Sequence, residues 1–476
     1  MAELVKAVGV IGAGPAGLTA AYELAKAGVA VEVFEGADRV GGMAASFDLW
    51  GQIVDFGPHR FFSTDPVVNR VWSEVIGDDY DMVDRLTRIY YKGKFFDYPL
   101  KAFNALFGLG VFQSTLCVAS YAAARFFPRK DEGSFENWVA NRFGYRLYSI
   151  FFKSYSEKLW GISCSELDAD FAAQRIKKLS LIEAIKAAVL GGGGSKHKTL
   201  VDQFAYPRRG TGSFYEKMAE RIVEHGGRIH LRTRVRSVSH RETGEAEIVL
   251  TDGSVRRFDH VVSSMPLTDL VLGLNPPEEI AQKVQRLRYR NTILVYLEIQ
   301  GDHLFPDQWI YVHSPDLDTG RITNFRNWVP TLYGDKPNTI VCMEFWSYDA
   351  DAVWTVADEA TVERAKSEML STGLVGDARI LGGHVVRLRK SYPVYNRGYR
   401  DNLAPVERYL SGIPTLTAIG RYGAFKYNNQ DHSILMGVYA AQNILGQTQH
   451  NLWAINTDYE YQEGAKIADT GLQKQQ

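Results

Sequence analysis

The stretch Val8-Gly-Val-Ile-Gly12-Ala-Gly14-Pro-Ala-Gly17 decides the fold, because an apolar strand runs directly into the pattern G-x-G-x-x-G. A helix is predicted from Pro15 to about Ala27, and a second strand from Val29 to Phe34. In such a unit the first glycine permits a tight turn and the second lets the backbone approach a pyrophosphate. The third lets the helix pack against the strand. The sequence therefore predicts a Rossmann-like α/β domain that binds a dinucleotide.

The residues after the second strand indicate which dinucleotide is bound. Glu35 follows that strand directly, where a carboxylate can bind ribose hydroxyls. The next loop, Asp38-Arg-Val-Gly-Gly42, has a D-R-x-G-G pattern that resembles the FAD-binding fingerprint of the amine oxidase and protoporphyrinogen oxidase superfamily. FAD is therefore expected rather than NAD. The cofactor-binding residues predicted from these segments are Gly12, Gly14, Pro15, Ala16, Gly17, Glu35, Arg39, Gly41 and Gly42.

Composition excludes several other classes of protein. The chain has 476 residues, a hydrophobic content of 45% and a formal net charge of −1, which argues against nucleic acid as the main partner. Its three cysteines are odd in number and lack metal-ligand spacing, so we expect no disulfide framework and no metal site. The first strand begins within a few residues of the N-terminus, and we expect a cytoplasmic protein without a signal peptide.

The pattern along the chain predicts a discontinuous FAD-binding domain, formed by residues 1–75, 201–290 and 401–450. Residues 76–200 are expected to form a helical substrate-binding insertion with a mobile loop at Gly191–Gly194. Residues 291–400 are expected to form an antiparallel sheet that covers the flavin and substrate. A polar tail follows at 451–476, and no function can be assigned to it from its sequence.

One stretch, residues 102–124, contains no charged residue. It also contains polar residues and small-residue breaks, so we expect either a buried pair of helices or helices of the substrate domain. Association with a membrane surface is the less favoured alternative.

A polar loop and several distant segments carry the residues expected to do chemistry. Gly57-Pro-His59 forms a sharp turn that presents a histidine, which in a flavin fold can reach the isoalloxazine ring; the alternative is a loop histidine bonded to the backbone. Gly420-Arg421 and Tyr427 precede Asn429-Gln-Asp-His-Ser433, where a polar turn opens an apolar helix. Unpaired N–H groups at that helix start could face the cofactor.

These segments resemble those of the UDP-galactopyranose mutases, in family order and over residues 8 to 445. The matching stretches are G-P-H-x-F with Asp65, Phe151-Phe-Lys-Ser-Tyr155-Ser-Glu-Lys-Leu-Trp160-Gly161, Arg321-Ile-Thr-Asn-Phe-Arg-Asn327, Tyr392-Pro393, and Gly420-Arg421 with Tyr427 and Asn429–Ser433. The sequence departs from the eukaryotic pattern at Phe425, where that pattern has tryptophan, so the sugar and the nucleotide stay open.

The resemblance implies a reaction without net redox change on a nucleotide-diphosphate sugar. In that family, reduced FAD attacks the anomeric carbon through N5, the sugar ring opens and recloses on the flavin–sugar adduct, and the diphosphate returns. It implies catalytic roles for His59, Arg321 and Arg421. It assigns substrate binding to Phe152, Tyr155, Trp160, Arg175, Asn327, Tyr392 and Tyr427. Further cofactor contacts are implied for Gly57, Pro58, His59, Val235, Gly420, Gln430, Asp431 and Ser433.

Other interpretations of these residues and of the function stay open. The arginines could form salt bridges, and the tyrosines and the aromatic stretch could belong to the core. NAD(P)H is a possible external reductant, and a homo-oligomer is possible. The alternative function is an FAD-dependent oxidase or dehydrogenase of the same superfamily. A flavin-binding protein without turnover is less favoured.

Overall fold

The structure is a computed structural model that describes residues 5–100, 102–171, 202–241 and 244–456. Within these ranges the strands, in chain order, are β1 (Ala7–Ile11), β2 (Ala30–Phe34), β3 (Ser46–Leu49), β4 (Gln52–Asp55), β5 (Tyr80–Asp84), β6 (Thr87–Tyr91), β7 (Lys94–Asp97), β8 (Gln203–Pro207), β9 (Arg228–His230), β10 (Val235–His240), β11 (Ala246–Leu250), β12 (Val255–Phe258), β13 (His260–Ser263), β14 (Tyr289–Ile299), β15 (Trp309–Val312), β16 (Arg321–Asn324), β17 (Thr339–Ser347), β18 (Ile380–Pro393) and β19 (Leu416–Ala418).

The helices of the same ranges are α1 (Pro15–Lys26), α2 (Pro66–Ile76), α3 (Ala102–Leu109), α4 (Val111–Phe126), α5 (Phe135–Phe143), α6 (Tyr145–Tyr148), α7 (Ser154–Trp160), α8 (Gly212–Glu224), α9 (Leu267–Gly273), α10 (Glu278–Gln285), α11 (Ala352–Thr355), α12 (Asp358–Thr372), α13 (Tyr399–Ser411), α14 (Gly420–Gly423) and α15 (Gln430–Ile444). A π-helical turn, Ser149–Lys153, joins α6 to α7, and short 3-10 turns lie at Gly42–Ala44, Phe325–Asn327, Pro330–Leu332 and Leu452–Ala454.

The first of the two main sheets is parallel and has five strands in the order β19-β13-β1-β2-β9. Helix α1 packs on one face together with α8 and α15, through buried residues such as Leu18, Met218 and Ile434. The antiparallel meander β10-β11-β12 covers the other face, where Gly9 leaves room for the Phe258 ring. A parallel sheet covered on both faces is the arrangement that the glycine pattern predicts, and the predicted α/β fold is confirmed.

The second main sheet has seven strands in the order β18-β14-β17-β16-β15-β6-β7. Its strands pair antiparallel except for β15 and β6, which are parallel. The interior strand β14 is buried along nearly its whole length, and its residues 293–297 are all apolar. This sheet contains the strands predicted near 292–299, 310–313 and 339–345.

The segment expected to be a helical insertion begins with strands. β5 pairs with β8, and the hairpin β6–β7 extends the large sheet before the helices begin at α3. Strand β6 combines buried and partly exposed side chains, and it lies between β15 and the edge strand β7. The domain boundaries themselves stay predictions.

The uncharged stretch forms the two helices that were expected, α3 and α4, but the expectation that they are buried is wrong. Among the side chains of residues 104–126, which the structure describes, only Ala105 and Cys117 are fully buried, whereas Val111 is 86% exposed and Phe112 is 73% exposed. Among the described residues, none of the helices is long and apolar enough to span a membrane.

Candidate active site at the junction of the two sheets

The turn between β1 and α1 forms a concave surface of backbone atoms, which we call the cradle. Gly12 has a φ of +94°, which favours glycine, and a Cβ on Gly17 would lie 2.0 Å from the Gly12 carbonyl oxygen. Gly14 is different, because its φ is −83° and a Cβ there would have no neighbour closer than 3.9 Å. Neither backbone strain nor crowding explains the glycine at 14. Its lack of a side chain leaves the N-terminus of α1 open to a ligand.

Glu35, which directly follows β2, stabilises this cradle through hydrogen bonds. Its two carboxylate oxygens accept hydrogen bonds from the backbone N–H groups of Ala13 (2.7 Å) and Ala37 (2.8 Å). The carboxylate lies on the wall of the cavity, and each oxygen keeps a further lone pair for a ribose hydroxyl.

The second glycine loop closes over the first. A Cβ on Gly42 would approach the Gly14 Cα to 3.1 Å, so the two loops meet backbone to backbone. Gly41, with a φ of +99°, makes the turn into Gly42. Arg39 does not line the cavity, and its guanidinium pairs with the exposed Asp38 at 2.9 Å. The structure therefore does not place Arg39 with the other residues expected to bind the cofactor.

One cavity of about 1530 Å³ connects the cradle to the large sheet. Single-ligand pockets usually have a volume of about 300–1,000 Å³, so this cavity has room for a dinucleotide and a second molecule. The expected site residues that line it are Gly12, Gly14, Pro15, Ala16, Glu35, Gly42, Pro58, His59, Val235, Arg321, Tyr392, Gly420, Arg421, Tyr427, Gln430 and Ser433.

His59 is held on the cavity wall by its backbone. The Thr211 hydroxyl donates to the His59 carbonyl at 2.5 Å, and Asp55 fixes Thr211 by accepting from its N–H. The alternative of a histidine side chain bonded to the backbone does not hold for Nδ1, which is buried without a partner in the described part of the chain. Burial, with Arg321 and Arg421 nearby, lowers the pKa of His59 from 6.5 to about 3. The imidazole is therefore neutral at ordinary pH.

Arg321 forms a buried ion pair with Glu344. The two residues are direct partners across β16 and β17, and Nε and Nη2 of the arginine donate to the two carboxylate oxygens, each at 2.6 Å. The pair lies against the Gly57 turn, where a Cβ would come within 3.2 Å of the carboxylate. Arg321 thus forms a salt bridge, as the alternative interpretation held, and it also lines the cavity.

Arg421 has a different environment. Its Nε donates to the Ser391 carbonyl at 2.8 Å and its Nη1 to the Asn428 carbonyl at 2.9 Å, and no carboxylate pairs with it in the described ranges. Its guanidinium lies 4.6 Å from the Tyr392 ring centre and 4.4 Å from that of Tyr427, and those two rings stack on each other. Arg421 therefore brings a positive charge to the cavity that the protein does not neutralise locally.

The aromatic stretch lies behind these tyrosines rather than on the cavity wall. Trp160 is fully buried, with ring centres 5.9 Å from Tyr427 and 6.2 Å from Tyr392. Tyr155 stacks on His313 at 4.8 Å, and Phe152 packs on the ring of Phe143. The core alternative thus describes Phe152 best, while Trp160 supports the residues that face the cavity.

Three other expected residues have different outcomes. Asn327 does not reach the cavity, because its amide donates to the carbonyls of Phe305 and Asp307 and holds that loop. Asp431 is buried beside the start of α15 without lining the cavity. Arg175 and the Gly191–Gly194 loop lie outside the described residues.

The start of α15 reaches the cavity through Gln430 and Ser433. Gln430 accepts a hydrogen bond from the Tyr215 hydroxyl at 2.8 Å, which fixes its amide. The N–H of Asn429 donates to His432 Nδ1, so this terminus is partly capped from within. The expectation of free N–H groups there is only partly met.

The sequence analysis missed Glu344. Its signal was present, because it is the one charged residue in the otherwise apolar strand Thr339–Ser347. A lone carboxylate in a buried strand needs a cation, and the neighbouring strand supplies Arg321.

The cavity fits FAD. The open backbone at Gly14, the facing loop at Gly42 and the ribose-binding position of Glu35 form a cradle that a Cβ at Gly14 would obstruct. His59 lines the same cavity, and its buried Nδ1 has no hydrogen-bond partner in the described part of the chain, so a polar group of a bound cofactor could satisfy it. The fold and this cavity together define an FAD-binding α/β protein.

Comparison with known proteins agrees with this class. The model of the family described as flavin containing amine oxidoreductase matches residues 15–445. The chain is 29% identical over 177 residues to a protein described as a probable UDP-galactopyranose mutase from Klebsiella pneumoniae, which covers 34% of this chain and 43% of that relative. The match thus spans less than half of the relative's length.

Solved structures share the whole fold. The crystal structure of a reduced UDP-galactopyranose mutase superposes with a TM-score of 0.83 at 22% identity, covering 96% of this chain and 100% of the other. A putrescine oxidase bound to putrescine gives a TM-score of 0.62 at 18% identity, covering 93% and 99%. The chain belongs to the flavin containing amine oxidoreductase family, which implies a flavin cofactor, and the expected likeness to UDP-galactopyranose mutases is confirmed.

Proposed function

We propose that this protein is a flavin-dependent nucleotide-sugar mutase, similar to the UDP-galactopyranose mutases, which interconverts the pyranose and furanose forms of a sugar carried on a nucleoside diphosphate. The observation that carries the proposal is the convergence of Arg421, the Arg321–Glu344 pair and neutral His59 on the cavity that contains the dinucleotide cradle. These residues come from distant segments of the chain.

The charges support a diphosphate ligand. A nucleoside diphosphate sugar carries about two negative charges, and charge-assisted bonds to arginine hold phosphates strongly. Arg421 is free of any acid in the described part, so it would pair with one phosphate. Arg321 uses Nε and Nη2 on Glu344 and would offer its remaining Nη1 donors to the other phosphate. The two arginines would thus hold the diphosphate after the bond to the sugar breaks, so that it can return.

The tyrosines would complete this clamp. Tyr392 is buried, and burial raises its pKa above the ordinary value of 10.0, so its hydroxyl keeps its proton and can donate to a phosphate oxygen. The stacked rings of Tyr392 and Tyr427, backed by Trp160, would exclude water from the leaving diphosphate.

FAD, when bound in its reduced form, would supply a nucleophilic ring nitrogen. His59 would hold the flavin edge through Nδ1, without adding a charge to it. Gln430 and Ser433 would contact the same edge from α15. The assignments of the reduced state, of isomerase activity and of NAD(P)H as the external reductant belong to this proposal, as does a cytoplasmic location. The three cysteines are buried and free, which supports that location.

An FAD-dependent oxidase or dehydrogenase is the second candidate. The family membership and the fold of the putrescine oxidase favour it. An oxidase acting on an amine or a hydrocarbon has no use for an unmatched arginine beside paired tyrosines. An anionic substrate would be needed to reconcile this candidate with Arg421.

A ligand screen tests the proposal. The reduced protein is titrated with UDP, TDP and GDP and with their hexose conjugates, and flavin fluorescence and thermal shift are recorded. We expect one nucleoside diphosphate and its sugar to bind in preference to free sugars and to amines. Binding of amines without any binding of nucleoside diphosphates would favour the oxidase.

A further inference from the structure

An ordinary surface helix buries its apolar side and exposes its polar side. Helix α4 differs, because it exposes apolar side chains and uses polar ones to contact the protein. Its inward stripe carries polar side chains that bond to the protein: Gln113 accepts from the Arg146 guanidinium, and Ser120 accepts from the Arg146 N–H. Gly144 packs directly on the backbone of this helix at Tyr121. The inward face is therefore the anchored one, and its polarity is satisfied.

The outward face is apolar and open. Val111, Phe112 and Val118 are 86%, 73% and 52% exposed, and Phe126 and Phe127 at the end of the helix are 79% and 83% exposed. Contiguous exposed groups of large apolar residues are rare on monomers and mark contact surfaces. We call these five residues the α4 face.

Basic residues lie at both ends of this face. Residues 92–132 contain six basic and three acidic residues, although the whole chain has a net charge of −1. Arg129 is paired with Glu136. Arg125 and Lys130 are exposed at the C-terminal end of the helix, next to the two phenylalanines, and Lys94 is exposed at the end of α3, where it donates to the Gly108 carbonyl.

We propose that the α4 face binds the surface of a membrane that contains acidic lipids. Phenylalanine and valine would enter the boundary between headgroups and acyl chains, and the basic rim would contact the headgroup phosphates. From the sequence we expect membrane association to be unlikely. The observed exposure of the α4 face favours it instead.

The charge of the rim favours lipid over a second copy of the chain. In a two-fold symmetric dimer the same patch meets itself, so each basic rim would lie against a basic rim. Like charges across an interface oppose association, whereas an acidic bilayer attracts them. The 16 residues of α4 are too few to cross a bilayer, which takes about 20 residues, so the helix would lie along the surface.

Vesicle co-sedimentation of the full-length, flavin-loaded protein tests this inference. We expect binding to vesicles of phosphatidylcholine mixed with phosphatidylglycerol, weaker binding to phosphatidylcholine alone, and loss of binding on addition of salt. Phe112→Ser combined with Phe126→Ser should lower partitioning at least about tenfold. Arg125→Gln and Lys130→Gln should each lower it about fivefold.

Leu370→Ser is the matched control, because Leu370 is a 53% exposed apolar residue on α12, away from this face. It should bind vesicles like the unaltered protein, and all variants should keep their flavin content. No binding to acidic vesicles, or equal binding by the phenylalanine variant, would overturn the inference. A dimer in light scattering that the phenylalanine variant dissociates would overturn it in favour of a second copy.

Discussion

Arg321 and Glu344 lie opposite each other on neighbouring strands, and two hydrogen bonds of 2.6 Å join their side chains at the cavity. The carboxylate side chain is only 2% exposed and the guanidinium 16% exposed. Buried pairs of this kind contribute little net stability, yet breaking one leaves an uncompensated charge. The cavity therefore contains one arginine that the fold neutralises and another, Arg421, that it does not.

Replacing Glu344 tests this relationship. Glu344→Gln removes the counter-charge and should lower the free energy of unfolding by about 3–5 kcal/mol. UDP should restore more of that stability in the variant than in the unaltered protein, because its phosphates replace the lost anion. Urea denaturation with and without UDP measures both effects. Glu298→Gln, on the adjacent strand β14 and bonded to Asn338, is the control and should show neither. A stability loss that UDP does not reduce would place the pair outside the ligand site.

Replacing Arg421 tests the unmatched charge. Arg421→Ala should weaken UDP binding by about 1.5–3 kcal/mol, the usual contribution of a charge-assisted hydrogen bond. Arg421→Lys should recover part of this loss, because the charge stays while the planar contact with the two tyrosines is lost. Isothermal titration gives the affinities, and Arg256→Ala on the exposed edge of β12 is the control. Unchanged affinity in Arg421→Ala would contradict the clamp.

Substitutions at Gly14 and Gly17 distinguish an effect on cofactor binding from an effect on folding. Gly14→Ala should fold, since its φ of −83° suits alanine and a Cβ there has space. Its methyl group would block the approach of the pyrophosphate, so the purified protein should contain much less flavin. Gly17→Ala should fail to fold well, because its Cβ would lie 2.0 Å from the Gly12 carbonyl oxygen. The flavin absorbance of each purified variant and its circular dichroism distinguish these outcomes. Full flavin content in Gly14→Ala would move the pyrophosphate elsewhere.

Much of this arrangement could be predicted from sequence, because local patterns determine local structure. The glycine turn, Glu35 and the strands that begin near Val235 and Thr339 follow from spacing and alternation. The partnership of Arg321 with Glu344 could not be predicted, since it depends on the register between strands that begin 18 residues apart. The exposure of α4 was missed for a related reason, because periodicity shows that a face is apolar and not what covers it.

Buried histidines should make the protein sensitive to acid. Burial lowers the pKa of His260 from 6.5 to about 4, and those of His59 and His313 to about 3. Between these values only the unfolded chain takes up the proton, so stability is lost as the pH falls below about 6.5. Asp55 opposes this trend, because burial raises its pKa to about 6 and its folded form takes up a proton first.

A single substitution isolates one of these contributions. His260→Asn should reduce the drop in melting temperature between about pH 7 and about pH 5 relative to the unaltered protein, because one proton uptake by the unfolded chain is removed. His260 lies away from the cavity and contacts Thr417 at 2.8 Å, so ligand binding should not change. His303→Asn, a 94% exposed histidine, is the control and should leave the drop unchanged. An equal drop in His260→Asn would show that this histidine titrates alike in both states.

Turnover of a nucleotide sugar under anaerobic conditions tests the proposed function most directly. The protein is reduced with dithionite or NAD(P)H and incubated with the UDP-hexose, TDP-hexose or GDP-hexose that it binds, and the products are separated by chromatography. We expect a ring-size isomer of the same mass, formed by the reduced protein only, without net consumption of reductant once the flavin is reduced. Turnover by the oxidised protein that consumes oxygen or another acceptor, with no isomer from the reduced protein, would contradict it.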